Sequence, residues 1–346
     1  MKTTLRTLSI ATLASLAFVA QASAASLTWT TAVNQASTVT NQLRSVAVAD
    51  QAGNGSVYIG YIQTSANRRL DRHNTNSPYG VLNTHASGLD QPKGIATDDR
   101  GNVFVANRNS GSNTSFIQSF SATLGTNSST STSSPVIGGL AIQKSGSNYY
   151  AYAVYEAAGR IERYNVTNPG AMSLDTSFGT LGVYSIPGAT DLRGIEVAAD
   201  GSLFVASRGD NKVYKVSADL STVTSATVTR AMDVALYGGN VYATSYNGAS
   251  SLIRSLDQST LGLVEDITIT TLDGNPYSRG ANEGWSGIDI DAGGNIWLAD
   301  QHYGSTGGTQ DRLLHGASLV PEPASLAMLG LGSLGLFVVR RRRLSV

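Results

Sequence analysis

Gly94-Ile-Ala-Thr-Asp-Asp-Arg-Gly-Asn-Val-Phe-Val-Ala-Asn107 decides the fold: an apolar run, a glycine turn and a second apolar run. Short apolar runs joined by a turn glycine read as paired β-strands. The pattern returns at Gly194-Ile-Glu-Val-Ala-Ala-Asp-Gly-Ser-Leu-Phe-Val-Ala-Ser207 and at Gly287-Ile-Asp-Ile-Asp-Ala-Gly-Gly-Asn-Ile-Trp-Leu-Ala-Asp300. Looser copies are Ser45-Val-Ala-Val with Val57-Tyr-Ile, Gly139-Leu-Ala-Ile with Tyr150-Ala-Tyr-Ala-Val, and Asp233-Val-Ala-Leu with Val241-Tyr-Ala-Thr. The anchors at 45, 94, 139, 194, 233 and 287 lie 49, 45, 55, 39 and 54 residues apart. Paired short strands at such a period mark propeller blades, and runs such as Arg160–Tyr164 and Lys212–Val216 supply further strands of each blade. The sequence therefore predicts an all-β, six-bladed β-propeller, with a β-sandwich or an open solenoid as the alternative. Leu27–Val33 precedes the first copy and is predicted to pair near Arg312–His315, closing the ring and removing its exposed edges.

Composition agrees with this reading. Only 14% of the 346 residues are charged, against about 25% in an ordinary soluble domain. Blade faces pack on neighbouring blades, so strands carry few charges, and many hairpins explain the 37 glycines. The absence of cysteine excludes a disulfide scaffold, a thiolate zinc site and a cysteine nucleophile. A formal net charge of zero gives no reason to expect a nucleic-acid partner.

The two ends read as addresses. Lys2 and Arg6 precede an apolar stretch from Leu8 to Ala20, and Ala22-Ser23-Ala24 follows. A basic start, an apolar core and an A-x-A site make a cleaved secretory signal peptide over residues 1–24; the alternative is a short buried helix. At the other end, Pro321, Glu322 and Pro323 precede an uncharged run over residues 324–339, followed by Arg340, Arg341, Arg342 and Arg343. Sixteen residues lie near the short limit of a transmembrane helix of about 17–25, and the arginines belong on the cytoplasmic side. This places the propeller, residues 25–319, outside the inner membrane. Six of the 24 basic residues (Lys2, Arg6 and Arg340 to Arg343) and one of the 24 acids (Glu322) sit in these ends. The domain between them keeps 18 basic residues against 23 acids, a net charge of −5.

The tail over residues 320–346 resembles the PEP-CTERM sorting signal of exopolysaccharide-producing Gram-negative bacteria, also catalogued as an "ice-binding protein C-terminal" motif. That resemblance covers about 25 residues. It implies export by the Sec machinery, a transient stay in the inner membrane, cleavage by the protease-transpeptidase exosortase, and a destination in the cell envelope or extracellular polysaccharide. An ordinary C-terminal membrane anchor is the alternative.

The repeats resemble NHL-type and related six-bladed propellers, including the SMP-30/gluconolactonase group. In such propellers the first strand of each blade begins, and the second ends, at the same mouth of the central channel. The residues so placed are Arg44, Lys93, Arg193 and Trp285 at first-strand starts. At second-strand ends they are Asn107-Arg108, Tyr155-Glu156, Ser207-Arg208, Tyr246-Asn247 and Asp300-Gln301-His302. A mouth holding Arg208 and other arginines with Glu156, Asp300 and His302 suits a polar, anionic or sugar-like ligand, or is a plain solvated rim. The third position of the first-strand motif reads Ala47, Ala96, Ala141, Glu196, Ala235 and Asp289. Four alanines fit crowding near the axis. The two acids there must be hydrogen-bonded, paired (with Arg193 as one partner) or metal-bound. One pair of carboxylates falls short of the 6–8 oxygens that Ca²⁺ takes.

The first functional expectation is a binding or structural module of the envelope or extracellular matrix, partnered by polysaccharide or matrix proteins. The second is a metal-dependent lactonase-like hydrolase or lyase on the same scaffold. Its family resemblance is thin: Glu283-Gly284-Trp285 is similar to the early Glu-Gly motif of the lactonases but lies before the sixth copy. No G-x-S-x-G elbow, H-E-x-x-H helix or P-loop occurs. His73 and His85 read as loop residues. The tract Thr126–Ser134 reads as a mobile polar loop, with O-glycosylation as a further reading.

Overall fold

The computed structural model describes residues 27–34, 43–49, 55–62, 68–112, 114–132, 136–157, 159–279, 283–302, 311–317 and 319. The expected signal peptide and the expected span at 324–339 lie outside the described residues. Among the described residues no helix is long and apolar enough to cross a membrane.

Six antiparallel blade sheets follow one another along the chain, and a small hairpin of Thr271–Leu272 with Asn275–Pro276 forms a seventh sheet among the described residues. Blade one is built from Leu43–Ala49, Ser56–Tyr61, Arg69–Asn74 and Val81–His85. Blades two to five begin with the inner strands Gln91–Thr97, Ile137–Ser145, Leu192–Val197 and Ala231–Tyr237. Blade six takes Glu283–Ile290, Ile296–His302 and Arg312–Gly316, and its outermost strand is the N-terminal Trp29–Asn34. Thr30 lies opposite His315 and Thr31 opposite Leu314, so the ring closes at the predicted place. The closing strand is anchored by Trp29, which is 4% exposed and packs among Ile253, Leu298 and Leu314.

Apolar side chains fill the spaces between blades. Phe104 and Ala106 of blade two meet Ile137, Ala153 and Tyr155 of blade three, for example. Around the axis the inner strands touch backbone to backbone. A Cβ on Gly94 would stand 2.8 Å from the Cα of Gly139, and one on Gly194 would stand 2.6 Å from the Cα of Asp233. Glycine at the anchor is thus a requirement of close approach between blades, not of turn geometry.

Three local expectations are corrected. Thr126–Ser131 is the outermost strand of blade two, paired with Thr114–Phe120, rather than a mobile loop. An outer strand needs backbone partners and no apolar burial, and hydroxyls that bond neighbouring carbonyls serve it, as Ser128 Oγ does with Pro169 O at 2.7 Å. Positions 133–135, which include the last two residues of that tract, lie outside the described residues. His73 is a buried strand residue with Nδ1 3.0 Å from the carbonyl of Tyr79. His85 is also on a strand, its ring edge-on to Phe120 at 4.8 Å.

Candidate functional site

Every inner strand carries the same irregularity. The pairing register slips between Leu43 and Ser45, Pro92 and Gly94, Ile137 and Gly139, Leu192 and Gly194, Ala231 and Asp233, and Trp285 and Gly287. A β-bulge leaves one residue unpaired and re-aims its side chain. The six bulged residues are Arg44, Lys93, Gly138, Arg193, Met232 and Ser286. Three of them are cations, and all three line a cavity of about 330 Å³ on the axis. The repeat thus delivers Arg44, Lys93 and Arg193 to one place through one backbone device.

Glu156 meets two of these cations. Its Oε1 lies 3.0 Å from Lys93 Nζ and 2.5 Å from Arg193 Nη1. Asp191 binds the other side of Arg193, Oδ1 to Nε at 2.6 Å, and Arg208 Nη1 at 3.6 Å. Arg44 has no such partner. It is 7% exposed, its Nε has no hydrogen-bond partner, and among the described residues no carboxylate pairs with it. Four cations (Arg44, Lys93, Arg193 and Arg208) therefore face two carboxylates.

The electrostatics follow from burial first and from this imbalance second. Burial, then the charge of Arg193, lowers Arg44 from 12.5 to about 10. Burial, then Arg44, lowers Lys93 from 10.5 to about 8. Burial would raise Glu156, but Lys93, Arg193 and Arg44 together outweigh it and hold its carboxyl below the usual range. Arg208 is lowered by burial and by Arg193.

Three acids line the same cavity: Glu196, Asp233 and Asp289. The expected partnership of Arg193 with Glu196 or Asp289 is not formed, because Arg193 is held by Glu156 and Asp191. The acids accept backbone N–H groups instead. Asp289 Oδ2 receives Val48 N at 2.7 Å and Oδ1 receives Ile290 N at 2.8 Å. Asp233 Oδ2 receives Ile288 N at 3.2 Å, and Glu196 Oε1 receives Val197 N at 3.0 Å. Val48 and Ile288 belong to the next blade's inner strand, so Asp289 and Asp233 cap free edges that face the axis. Burial raises Glu196 from 4.5 to about 8 and Asp233 from 3.8 to about 7, with Asp289 adding to both. Glu196 is half-buried and keeps some solvent contact along the channel. Among the described residues no three His, Asp or Glu side chains gather closely enough to hold a metal ion.

Alternation along the second strand separates the remaining candidates. Asp300 lies opposite Trp285, as Asn107 lies opposite Pro92 and Tyr155 opposite Ile137. These positions point into the blade, and the next residue, Glu156 in blade three, points to the mouth. Asp300 is accordingly removed from the mouth. It is fully buried and bound by Tyr277 Oη at 2.7 Å, Arg279 Nη2 at 3.0 Å and Arg312 Nη2 at 3.2 Å. Trp285 lies in the same cluster, with the Arg279 guanidinium 3.8 Å over its ring. In every blade the bulge falls on the residue just before the repeat anchor; Trp285 stands two residues before Gly287, so the bulge falls on Ser286 and Trp285 keeps its pairing with Asp300. Asn107 is tied into blade two by the N–H groups of Asp90 and Gln91. His302 pairs with Glu283 through its backbone, and its side chain lies outside the described residues. Asp233 was legible only as the one anchor that is neither Gly nor Ser.

Residues 319–343 match the family model of the PEP-CTERM protein-sorting motif. The chain carries this motif. The match ends on the arginine cluster and includes Pro321, Glu322 and Pro323. No curated protein matches the chain. Among solved structures, a protein of unknown function from Bacteroides caccae is similar at 10% identity and a TM-score of 0.53, covering 81% of this chain and 91% of its own. Virginiamycin B lyase from Staphylococcus aureus is similar at 13% identity and a TM-score of 0.51, covering 83% and 98%. A luciferin-regenerating enzyme is similar at 8% identity and a TM-score of 0.53, covering 85% and 96%. Likeness at such low identity shows the fold alone.

Proposed function

We propose that the chain is an exported protein of the cell envelope or extracellular matrix, sorted by exosortase, whose propeller binds a small polar ligand at the channel mouth. The sorting motif over residues 319–343 carries the first half of this reading. In it, the signal peptide directs Sec export, the apolar tail holds the protein in the inner membrane, and cleavage near Pro321-Glu322-Pro323 releases it toward the surrounding polysaccharide. The bulged cations support the second half: they converge on a cavity of a size that small ligands occupy.

The hydrolase or lyase alternative needs a divalent ion held by at least three side-chain oxygens. Glu196, Asp233 and Asp289 are instead engaged with backbone N–H groups. The reading is tested by deleting residues 321–346. The truncated protein is expected in the medium without C-terminal processing, and processing that continues unchanged would overturn the sorting half. The binding half is tested by whether any small polar ligand is displaced when Glu156 is replaced by Lys at the mouth.

A further inference from the structure

We propose that the channel mouth is an oxyanion site, in which Arg44 is the open half of an ion pair completed by the ligand. The inference rests on the channel-mouth reading above and names its ligand chemistry: a carboxylate, sulfate or phosphate group carried on a small polar molecule. A buried guanidinium without a partner is expensive, and native proteins rarely leave one unsatisfied. Arg44 is 7% exposed, its Nε is buried without a hydrogen-bond partner, and among the described residues no carboxylate forms an ion pair with it, so only its terminal nitrogens are left to meet a ligand. Its sequence neighbours do not force it there, since the equivalent bulge positions in other blades hold Gly138, Met232 and Ser286.

The resident carboxylates cannot complete it. Glu156 is already shared between Lys93 and Arg193, and Asp191 between Arg193 and Arg208. Asp233 is the remaining acid in its field, and its two oxygens accept Ile288 N and Val234 N. Arg44 and Lys93 therefore both line the cavity where cations outnumber the carboxylates that pair with them. A guanidinium binds planar oxyanions through two parallel N–H donors, and an ammonium adds a point charge. The acids Glu196 and Asp289 line the same cavity. The charge of Asp289, which raises both Glu196 and Asp233, disfavours a polyanion threading through the channel and favours a single anionic group on a molecule whose remainder is neutral and hydroxylated.

The test is calorimetric titration of the purified exported protein at low ionic strength with sodium glucuronate, inorganic phosphate, inorganic sulfate and neutral glucose. Binding of glucuronate without binding of glucose supports a carboxylate-bearing ligand. Binding of phosphate or sulfate alone supports the same site with an inorganic or phosphoryl source. In either case Arg44→Gln weakens binding at least tenfold, and Lys93→Met weakens it independently. A merely structural Arg44 would make Arg44→Gln less thermostable without ligand. The proposal expects a free protein as stable as the wild type or more so, because an unpaired buried charge has been removed. Glucose binding as well as glucuronate, with Arg44→Gln without effect, overturns the oxyanion site and leaves the channel-mouth reading standing. No binding in any arm overturns both.

Discussion

Glu196 offers the sharpest test of how the channel is built. Its carboxyl is raised from 4.5 to about 8, first by burial and then by Asp289 and Asp233, against the favourable Val197 N–H bond. The folded state thus holds a proton that the unfolded chain releases across that interval. Such a group adds stability that is fully present below pH 4.5 and is lost as pH rises through 8. At about 1.4 kcal/mol per unit, the shift has a ceiling of about 5 kcal/mol. Water in the channel screens it, so a loss of about 2 kcal/mol is the working expectation. Glu196→Gln keeps an acceptor for the Val197 N–H and cannot ionise. Urea unfolding of both proteins at several pH values between 4.5 and 8.5 isolates the term. Asp233, raised to about 7, gives a slope of the same sign in both proteins, so the difference isolates Glu196 together with its coupling to Asp233. The variant should match the wild type near pH 4.5 and become the more stable protein by pH 8.5. A difference that stays flat with pH, or that turns against the variant as pH rises, would refute the enclosed-acid reasoning.

Other perturbations test the remaining links. Gly194→Ala places a Cβ 2.6 Å from the Cα of Asp233, which can yield only if two inner strands separate; a loss of about 3 kcal/mol is expected in denaturant unfolding, and a neutral result would contradict the backbone-to-backbone ring. Trp29→Ala empties the anchor of the closing strand and should cost about 3–5 kcal/mol, with protease cleavage of the N-terminal strand increased; an unchanged digestion pattern would mean that ring closure does not depend on it. Lys93, lowered to about 8, loses its charge as pH rises through that value, so oxyanion affinity should fall above pH 8 and persist to higher pH in Lys93→Arg. Affinity that is constant from pH 7 to 9.5 would remove Lys93 from the site.

Much of this architecture is written in the chain because a propeller repeats one local solution six times. The apolar run, glycine turn and second apolar run recur wherever two inner strands must pair, and the closing strand at Trp29–Asn34 is apolar where it meets blade six. The site was legible only in part. Arg44, Lys93 and Arg193 precede their anchors in sequence, yet nothing in residue spacing announces a bulge, and without it alternation would send them elsewhere. The same one-residue slip explains why Trp285 and Asp300 face into blade six while Glu156 faces the mouth. Asp233 was read as a repeat anchor because it occupies a glycine position. Its role as a cap on Ile288 N depends on the neighbouring blade, a contact 55 residues away in sequence. The serine-threonine tract misled for a related reason: composition reports the absence of a core, and an outer strand needs none.

The net charge divides in the same way as the chain. A domain of net −5 carries a small cationic mouth, and the basic residues that neutralise the total sit in the two ends. In the proposed route those ends are removed in turn. Intact-mass measurement of the protein purified from cells that export it tests this directly. The account predicts a chain lacking residues 1–24 and cut close to Pro321-Glu322-Pro323. A mature chain that still carries Arg340 to Arg343 would contradict it.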